Sequence, residues 1–256
     1  MTPQYPDHFV ARLETLWGEG FLSPGGADEV REIVKGLALE SATLLDIGCG
    51  TGGADLVLVE ELGAAFVAAV DVEPKLIERA RCRVRNAGLE GRIDCSLVTP
   101  GPLPFPDEAF DVVFSKDALV HVEDKPALFR EVRRVLKPGG VFAASDWLAG
   151  DNLRCSRAWA AFRQIGHLSL TMATAAESVC ALRQAGFWSV TSRDRNAWYR
   201  EVSAWEAEQV AGPLRDRLLS LVDREVYDHW LAVRRALAAT VADGALRPTH
   251  LRAFKP

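Results

Sequence analysis

Leu44-Leu45-Asp46-Ile47-Gly48-Cys49-Gly50-Thr51-Gly52-Gly53, followed later by Ala68-Ala69-Val70-Asp71, is the stretch that decides how this chain folds. An apolar run enters a glycine turn, a helix follows, and a second apolar run ends on a carboxylate, the order of a βαβ unit. Glycines permit positive φ and leave room for a ligand against the backbone. A helix starting near Gly53 aims free amides and the positive end of its dipole at that ligand. Asp71, at the tip of the second strand, can accept two hydrogen bonds from a ribose diol. The stretch describes a nucleoside site.

Two readings of that site remain. Gly48-x-Gly50-x-x-Gly53 satisfies the dinucleotide fingerprint, a weak signal alone. From Asp46 to Gly52 the chain also reads Asp-x-Gly-x-Gly-x-Gly, and here it resembles motif I of the class I S-adenosylmethionine-dependent methyltransferases. The resemblance implies that Asp46 organises the loop around the methionine end of the cofactor and that Asp71 binds its ribose. Pro104-Phe105-Pro106-Asp107-Glu108-Ala109-Phe110-Asp111-Val112-Val113-Phe114 and Leu136-Lys137-Pro138-Gly139-Gly140-Val141 resemble the strand-four and strand-five blocks of the same family. The dehydrogenase pattern Tyr-x-x-x-Lys is absent, since none of Tyr5, Tyr199 and Tyr227 has a lysine four residues on. S-adenosylmethionine, with S-adenosylhomocysteine as product, is the expected cofactor, and an NAD-dependent oxidoreductase is the distant alternative.

With 256 residues and 48% hydrophobic content, the chain can bury one sizeable core plus a covering segment, so a single domain over 1–256 is expected. The net charge of −5 and the scattered basic residues leave no footprint for nucleic acid or an anionic membrane. No apolar run is long enough to span a bilayer, and the first residues lack a charged segment followed by an apolar one, so a cytoplasmic protein acting on a small molecule is expected, as monomer or homodimer. The five cysteines show neither Cys-x-x-Cys pairs nor a His partner at metal spacing, so no metal is predicted.

Strand signals fall at 42–47, 66–71, 92–97, 110–114, 140–146, 187–193 and 248–254, and helix signals near 53–62, 74–87, 125–136 and 173–185. Alternation of this kind predicts an α/β fold, a Rossmann-like class I methyltransferase with a seven-stranded, mostly parallel sheet. Residues 1–38 form an amphipathic, aromatic lid, 42–146 the cofactor-binding core, 147–247 a substrate-side helical cover containing strand six, and 248–256 the last strand. Within the cover, 199–241 is a long helical insertion before that strand.

After strand four the chain reads Ser115-Lys116-Asp117-Ala118-Leu119-Val120-His121. If 116–122 is a helical turn, Asp117 and His121 share one face beside the carboxyl ends of the strands, where ligands bind in open α/β sheets. A carboxylate there can orient an ammonium, and an imidazole can receive or relay a proton; Asp117 as a cap and His121 as a surface residue is the plain alternative.

This segment, the following Asp124-Lys125-Pro126-Ala127-Leu128-Phe129-Arg130, the amino-terminal Trp17-Gly18-Glu19-Gly20-Phe21-Leu22-Ser23-Pro24-Gly25-Gly26, and Leu182-Arg183-Gln184-Ala185-Gly186-Phe187 look like the phosphoethanolamine N-methyltransferases. The resemblance implies that Gln4 and Tyr5 fold over the site as a lid and that Tyr5 pairs with His121 as latch and proton acceptor. It also implies that Asp117 contacts the acceptor amine and Ser23 the cofactor carboxylate. The cofactor set so implied is Ser23, Asp46, Gly48, Cys49, Gly50, Gly52, Asp71, Val72, Thr99, Pro100 and Lys116, although at Thr99 many relatives carry an acid. Trp147 stands where the family has tyrosine. The family's phosphate clamp is interrupted, with Gln164-Ile165-Gly166-His167 in place of Gln-Arg-x-Tyr and Leu231-Ala232-Val233 where a lysine is expected. Each lost charge-assisted contact is worth about 1.5–3 kcal/mol, so phosphoethanolamine is disfavoured. Arg163 or His167 is left to bind a smaller anion, or to point outward. The expectation is transfer of methyl to the nitrogen of a small amine or amino acid, with Gln4, Trp147, Arg163 and His167 on the substrate side. S- or O-methylation of a small acid, or phosphoethanolamine N-methylation, is the alternative.

Overall fold

A computed structural model describes residues 4–256. Its centre is one seven-stranded sheet in the order β3-β2-β1-β4-β5-β7-β6. The strands are β1 (Thr43–Ile47), β2 (Phe66–Asp71), β3 (Ile93–Leu97), β4 (Phe110–Lys116), β5 (Leu136–Ala149), β6 (Trp188–Asp194) and β7 (Leu246–Phe254). From β3 to β5 all pairings are parallel, while β7 runs antiparallel to both β5 and β6. The expected Rossmann-like sheet, mostly parallel, is the one observed.

The helices are α1 (Asp7–Trp17), α2 (Gly26–Val34), α3 (Gly53–Leu56, continued by a wider π turn over Val57–Glu61), α4 (Pro74–Asn86), α5 (Lys125–Val135), α6 (Arg157–Ile165), α7 (Ala175–Gln184), α8 (Asn196–Ala211), α9 (Arg215–Leu221) and α10 (Arg224–Ala242). The inner strands are buried on both faces and read as continuous apolar runs, as parallel strands must. One apolar layer joins α2, α3 and α4 to the sheet through Val30, Leu44, Leu58, Val67 and Ile77. The other joins α5 and α7 through Leu45, Val113, Phe129, Phe142 and Leu182. A third cluster, Phe9, Leu13, Leu16, Val210, Tyr227 and Trp230, binds α1 to the helical cover.

Two local expectations change. β5 extends well beyond 140–146 because β7 pairs with it residue by residue from Val141 to Ala149, and Phe110 of β4 pairs with Leu136. Residues 116–122 do not form a helical turn on which Asp117 and His121 share a face. Asp117 takes a left-handed backbone, φ 56°, and only Leu119–His121 winds, as a single 3₁₀ turn. The helical insertion reads as α8, α9 and α10, beginning slightly before 199. No helix among the described residues is long and apolar enough to cross a membrane.

Candidate active site

The glycine loop after β1 is built by backbone necessity. Gly48 has φ 82°, and a Cβ there would lie under 3.0 Å from Ala118 Cβ, so the loop nests directly on the turn after β4. Gly50 N donates to Asp71 Oδ2 at 2.9 Å and Glu73 N to Oδ1 at 3.0 Å. Asp71 thus fixes the loop, and each of its oxygens keeps a lone pair for a ligand. Asp46, 1% exposed, has an Oδ1 without a hydrogen-bond partner among the described residues. Burial, then the neighbouring Asp55 on α3, raises Asp46 well above the usual carboxylate range. Burial pushes Asp55 up to about 7, and neither of its oxygens has a hydrogen-bond partner among the described residues. The Cys49 thiol, raised first by burial and then by Asp55, stays protonated.

The amide at the start of α3 is not free for a ligand, contrary to the expectation for a helix at this position. Gly53 N donates to Gly20 O at 3.2 Å, and a Cβ on Gly53 would stand 2.7 Å from the Gly20 carbonyl carbon. The amino-terminal loop is therefore in backbone contact with the cofactor loop. Lys116 completes the clamp: its Nζ donates to Ser23 Oγ, to Pro24 O at 2.8 Å and to Asp117 Oδ2 at 3.3 Å. All three ammonium protons are spent, so Lys116 holds the Ser23 loop in place. Val72, half exposed, with Thr99 and Pro100, both exposed, lies at the open ends of β2 and β3.

Asp117 is held from the other side by Ser145 Oγ, which donates to its Oδ1 at 2.8 Å. The 3₁₀ turn is capped by Asp146, whose Oδ1 accepts from Val120 N at 2.8 Å. Lys125 Nζ ties the same turn to Val122 O at 3.0 Å and to Thr171 O at 2.6 Å. Ser145 and Asp146 supply positions that the sequence pattern does not single out; their only signal is their place at the carboxyl end of β5.

His121 carries a fixed tautomer. Its Nδ1 lies 2.7 Å from Ser169 O, and a carbonyl only accepts, so Nδ1 bears the proton. Nε2 is then the acceptor for Tyr5 Oη, 3.2 Å away. Burial lowers His121 below its ordinary value, keeping the imidazole neutral, and burial raises the Tyr5 phenol, with Asp71 and Asp117 adding to the effect. Gln4 anchors the strap on both sides: its N donates to Glu73 Oε1 at 3.2 Å, its Oε1 accepts from Ser169 N at 3.1 Å, and its O accepts from His167 Nε2 at 3.1 Å.

That geometry gives Arg163 and His167 a different task from the anion binding expected of them. His167 holds the Gln4 backbone, and Arg163 Nη1 donates to Leu168 O at 2.6 Å while its guanidinium lies over Trp159 at 5.6 Å. Both stabilise the loop on which the strap rests. Trp147, 9% exposed, packs with Tyr199, ring centres 6.0 Å apart, as an aromatic wall beside Asp117. The arrangement brings the cofactor loop, a buried carboxylate and a neutral imidazole together under one strap. Among the described residues no group of three or more His, Cys, Asp or Glu side chains is arranged to hold a metal.

Comparison with known proteins agrees with this geometry. The family model described as a methyltransferase domain matches residues 45–144. Phosphoethanolamine N-methyltransferase 1 of Arabidopsis thaliana is 30% identical over 226 residues, 88% of this chain and 45% of the relative, so the chain spans less than half the length of that relative. The 27-O-demethylrifamycin SV methyltransferase of Amycolatopsis mediterranei is 28% identical over 255 residues, covering 91% of this chain and 89% of that one. Among solved structures, phosphoethanolamine N-methyltransferase 2 of Haemonchus contortus, in complex with S-adenosyl-L-methionine, superposes with a TM-score of 0.90 over 99% of this chain and 58% of the other, at 24% identity. With the sheet order, the glycine loop and these matches in hand, residues 45–144 are a methyltransferase domain of class I, Rossmann-like fold, and the chain is a distant homologue of the phosphoethanolamine N-methyltransferases.

Proposed function

We propose that this protein transfers a methyl group from S-adenosylmethionine to the nitrogen of a small amine or amino acid. The observation that carries the reading is the Tyr5–His121 pair with its fixed tautomer, closed over a buried Asp117. Asp46 and Asp71 suit the ammonium and ribose of the cofactor, and Ser23 suits its carboxylate. The bound sulfonium supplies an already activated methyl, so the protein's task is to align the acceptor and remove its proton. Asp117 accepts from the acceptor's ammonium and orients it. His121 Nε2, neutral and hydrogen-bonded to Tyr5 Oη, takes the Tyr5 hydroxyl proton as Tyr5 Oη takes the acceptor's proton, which frees the nitrogen lone pair while the strap shuts the site against water.

An O-methyl acceptor is the second reading, favoured by the near full-length match to the rifamycin methyltransferase. A neutral imidazole can deprotonate a hydroxyl equally well, but Asp117 would then lack an ammonium to bind. A screen of small amines, amino acids and hydroxylated acids for S-adenosylhomocysteine release separates the two. His121→Ala is expected to lower turnover while leaving S-adenosylmethionine affinity intact; unchanged turnover with any acceptor would remove the assignment.

A further inference from the structure

Beneath the aromatic wall lies a second group of buried polar side chains, drawn from α1, α8 and α10, that the cofactor and strap do not use. Glu206 is 1% exposed and Arg234 5%, and they face each other across α8 and α10 at 3.8 Å. Trp17 Nε1 donates to Glu206 Oε1 at 2.8 Å, tying the end of α1 into the group. Arg12, 5% exposed, has no carboxylate partner among the described residues; its guanidinium lies 5.4 Å from the Trp230 ring centre, with Arg234 5.8 Å from the same ring. Several polar atoms here have no hydrogen-bond partner among the described residues: Arg234 Nε, Tyr199 Oη and Trp230 Nε1, together with Arg234 Nη1 and Glu206 Oε2, which meet only each other at 3.8 Å.

Buried polar atoms without partners are costly, so a cluster of them calls for a polar occupant. The charge count says which kind. Two guanidiniums stand against one carboxylate, leaving an excess of at least one positive charge, and four of the five unpartnered atoms can donate. Burial, then the Arg234 charge, pulls Arg12 down to about 10, as expected of a cation without its counter-ion. Burial also pushes Glu206 up to about 7, which weakens the one internal counter-charge. Tyr199 links this cluster to the reaction site: its phenol feels both Glu206 and Asp117, and its ring packs on Trp147.

We infer that Arg234, Tyr199 Oη and Trp230 Nε1 form a subsite for the carboxylate of the methyl acceptor, whose amine sits at Asp117. This rests on the N-methyl reading above and narrows it from amines in general to amino carboxylates. A planar monoanion offsets the excess charge and gives Arg234 Nε, Tyr199 Oη and Trp230 Nε1 an acceptor.

The test compares glycine, β-alanine and 4-aminobutyrate with methylamine, ethylamine and propylamine, plus phosphoethanolamine, in the intact protein. One amino carboxylate is expected to exceed its carboxylate-free partner in kcat/KM. Arg234→Met should cut that ratio by roughly 10- to 100-fold, the loss of one charge-assisted pair, and Arg234→Lys should restore part of it. Tyr199→Phe, which removes only an unpartnered hydroxyl and so keeps the fold, should raise KM several-fold with kcat unchanged. Glycine betaine, which cannot accept a further methyl, gives a readout independent of turnover. It should raise the melting temperature of the wild type but not of Arg234→Met, whereas choline should raise neither. Betaine stabilisation that needs Arg234, without turnover of any amine, would uphold the subsite and refute N-transfer. A preference for phosphoethanolamine, or an amino-acid-to-amine ratio unmoved by Arg234→Met and Tyr199→Phe, would overturn the subsite.

Discussion

Gly48→Ala tests whether the cofactor loop and the turn after β4 are fixed by contact. Gly48 has φ 82°, a region where an L side chain costs about 1–2 kcal/mol. The new methyl would also meet Ala118 Cβ at under 3.0 Å, an overpacking cost of about 1–3 kcal/mol. Together these predict a destabilisation of about 2–5 kcal/mol. The two contributions separate in a double-mutant cycle. Ala118→Gly clears the methyl's path but leaves the backbone strain, so the double variant should recover only the steric part, a coupling of about 1–3 kcal/mol. Chemical denaturation of all four proteins gives the cycle, and titration with S-adenosylmethionine reports the loop directly. The displaced turn carries Asp117 and His121, so Gly48→Ala should also lower kcat, and the double variant should regain part of it. A coupling below about 0.5 kcal/mol, the range of independent sites, would show that the loop and the turn do not share this contact and would refute the argument.

Tyr5→Phe removes one hydrogen bond worth about 0.5–1.5 kcal/mol, so closure of the strap should weaken roughly 2- to 10-fold; kcat should fall by that factor with little change in cofactor affinity. His121 is depressed by burial from its ordinary value of 6.5, so its neutral form is the native one. Its stability contribution is present above pH 6.5 and is lost as pH falls through the lowered folded value. The acid limb of kcat/KM should therefore lie below pH 6.5 and vanish in His121→Asn. Asp55 is shifted the other way, from 3.8 to about 7, so its contribution is full below 3.8 and lost as pH rises through about 7. Asp55→Asn should match the wild type in denaturant midpoint near pH 4 and exceed it near pH 8; equal midpoints at both would sink this.

The regular part of the fold was legible because local signals and tertiary structure coincide there. The run from Asp46 to Gly52, the strand-four block and the Pro138-Gly139-Gly140 punctuation read directly onto the sheet. Asp117 and His121 were legible as candidates just after β4, yet the shared helical face expected of them does not form. A left-handed aspartate leaves no periodic trace, and it is held by Ser145, which the sheet brings in from β5, and by Lys116, the residue before it. Arg163 and His167 looked available for an anion because the sequence does not show that they face a loop and the strap. Glu206 and Arg234 stayed hidden for a related reason: each sits on a different helix of the insertion, and only packing of α8 on α10 brings them together. Long-range polar pairing carries no pattern of its own in one sequence.

The strap also bears on how often one acceptor can be methylated per visit. Gln4 is tied to Glu73 on the cofactor side and to Ser169 and His167 on the acceptor side, with Tyr5 latched between them. On the proposed function, one short piece of backbone covers both the cofactor and the acceptor. Spent cofactor and methylated acceptor would then leave through one opening, under the same segment. A nitrogen that receives several methyls would then be released into solution between rounds, and partly methylated intermediates would accumulate before the final product.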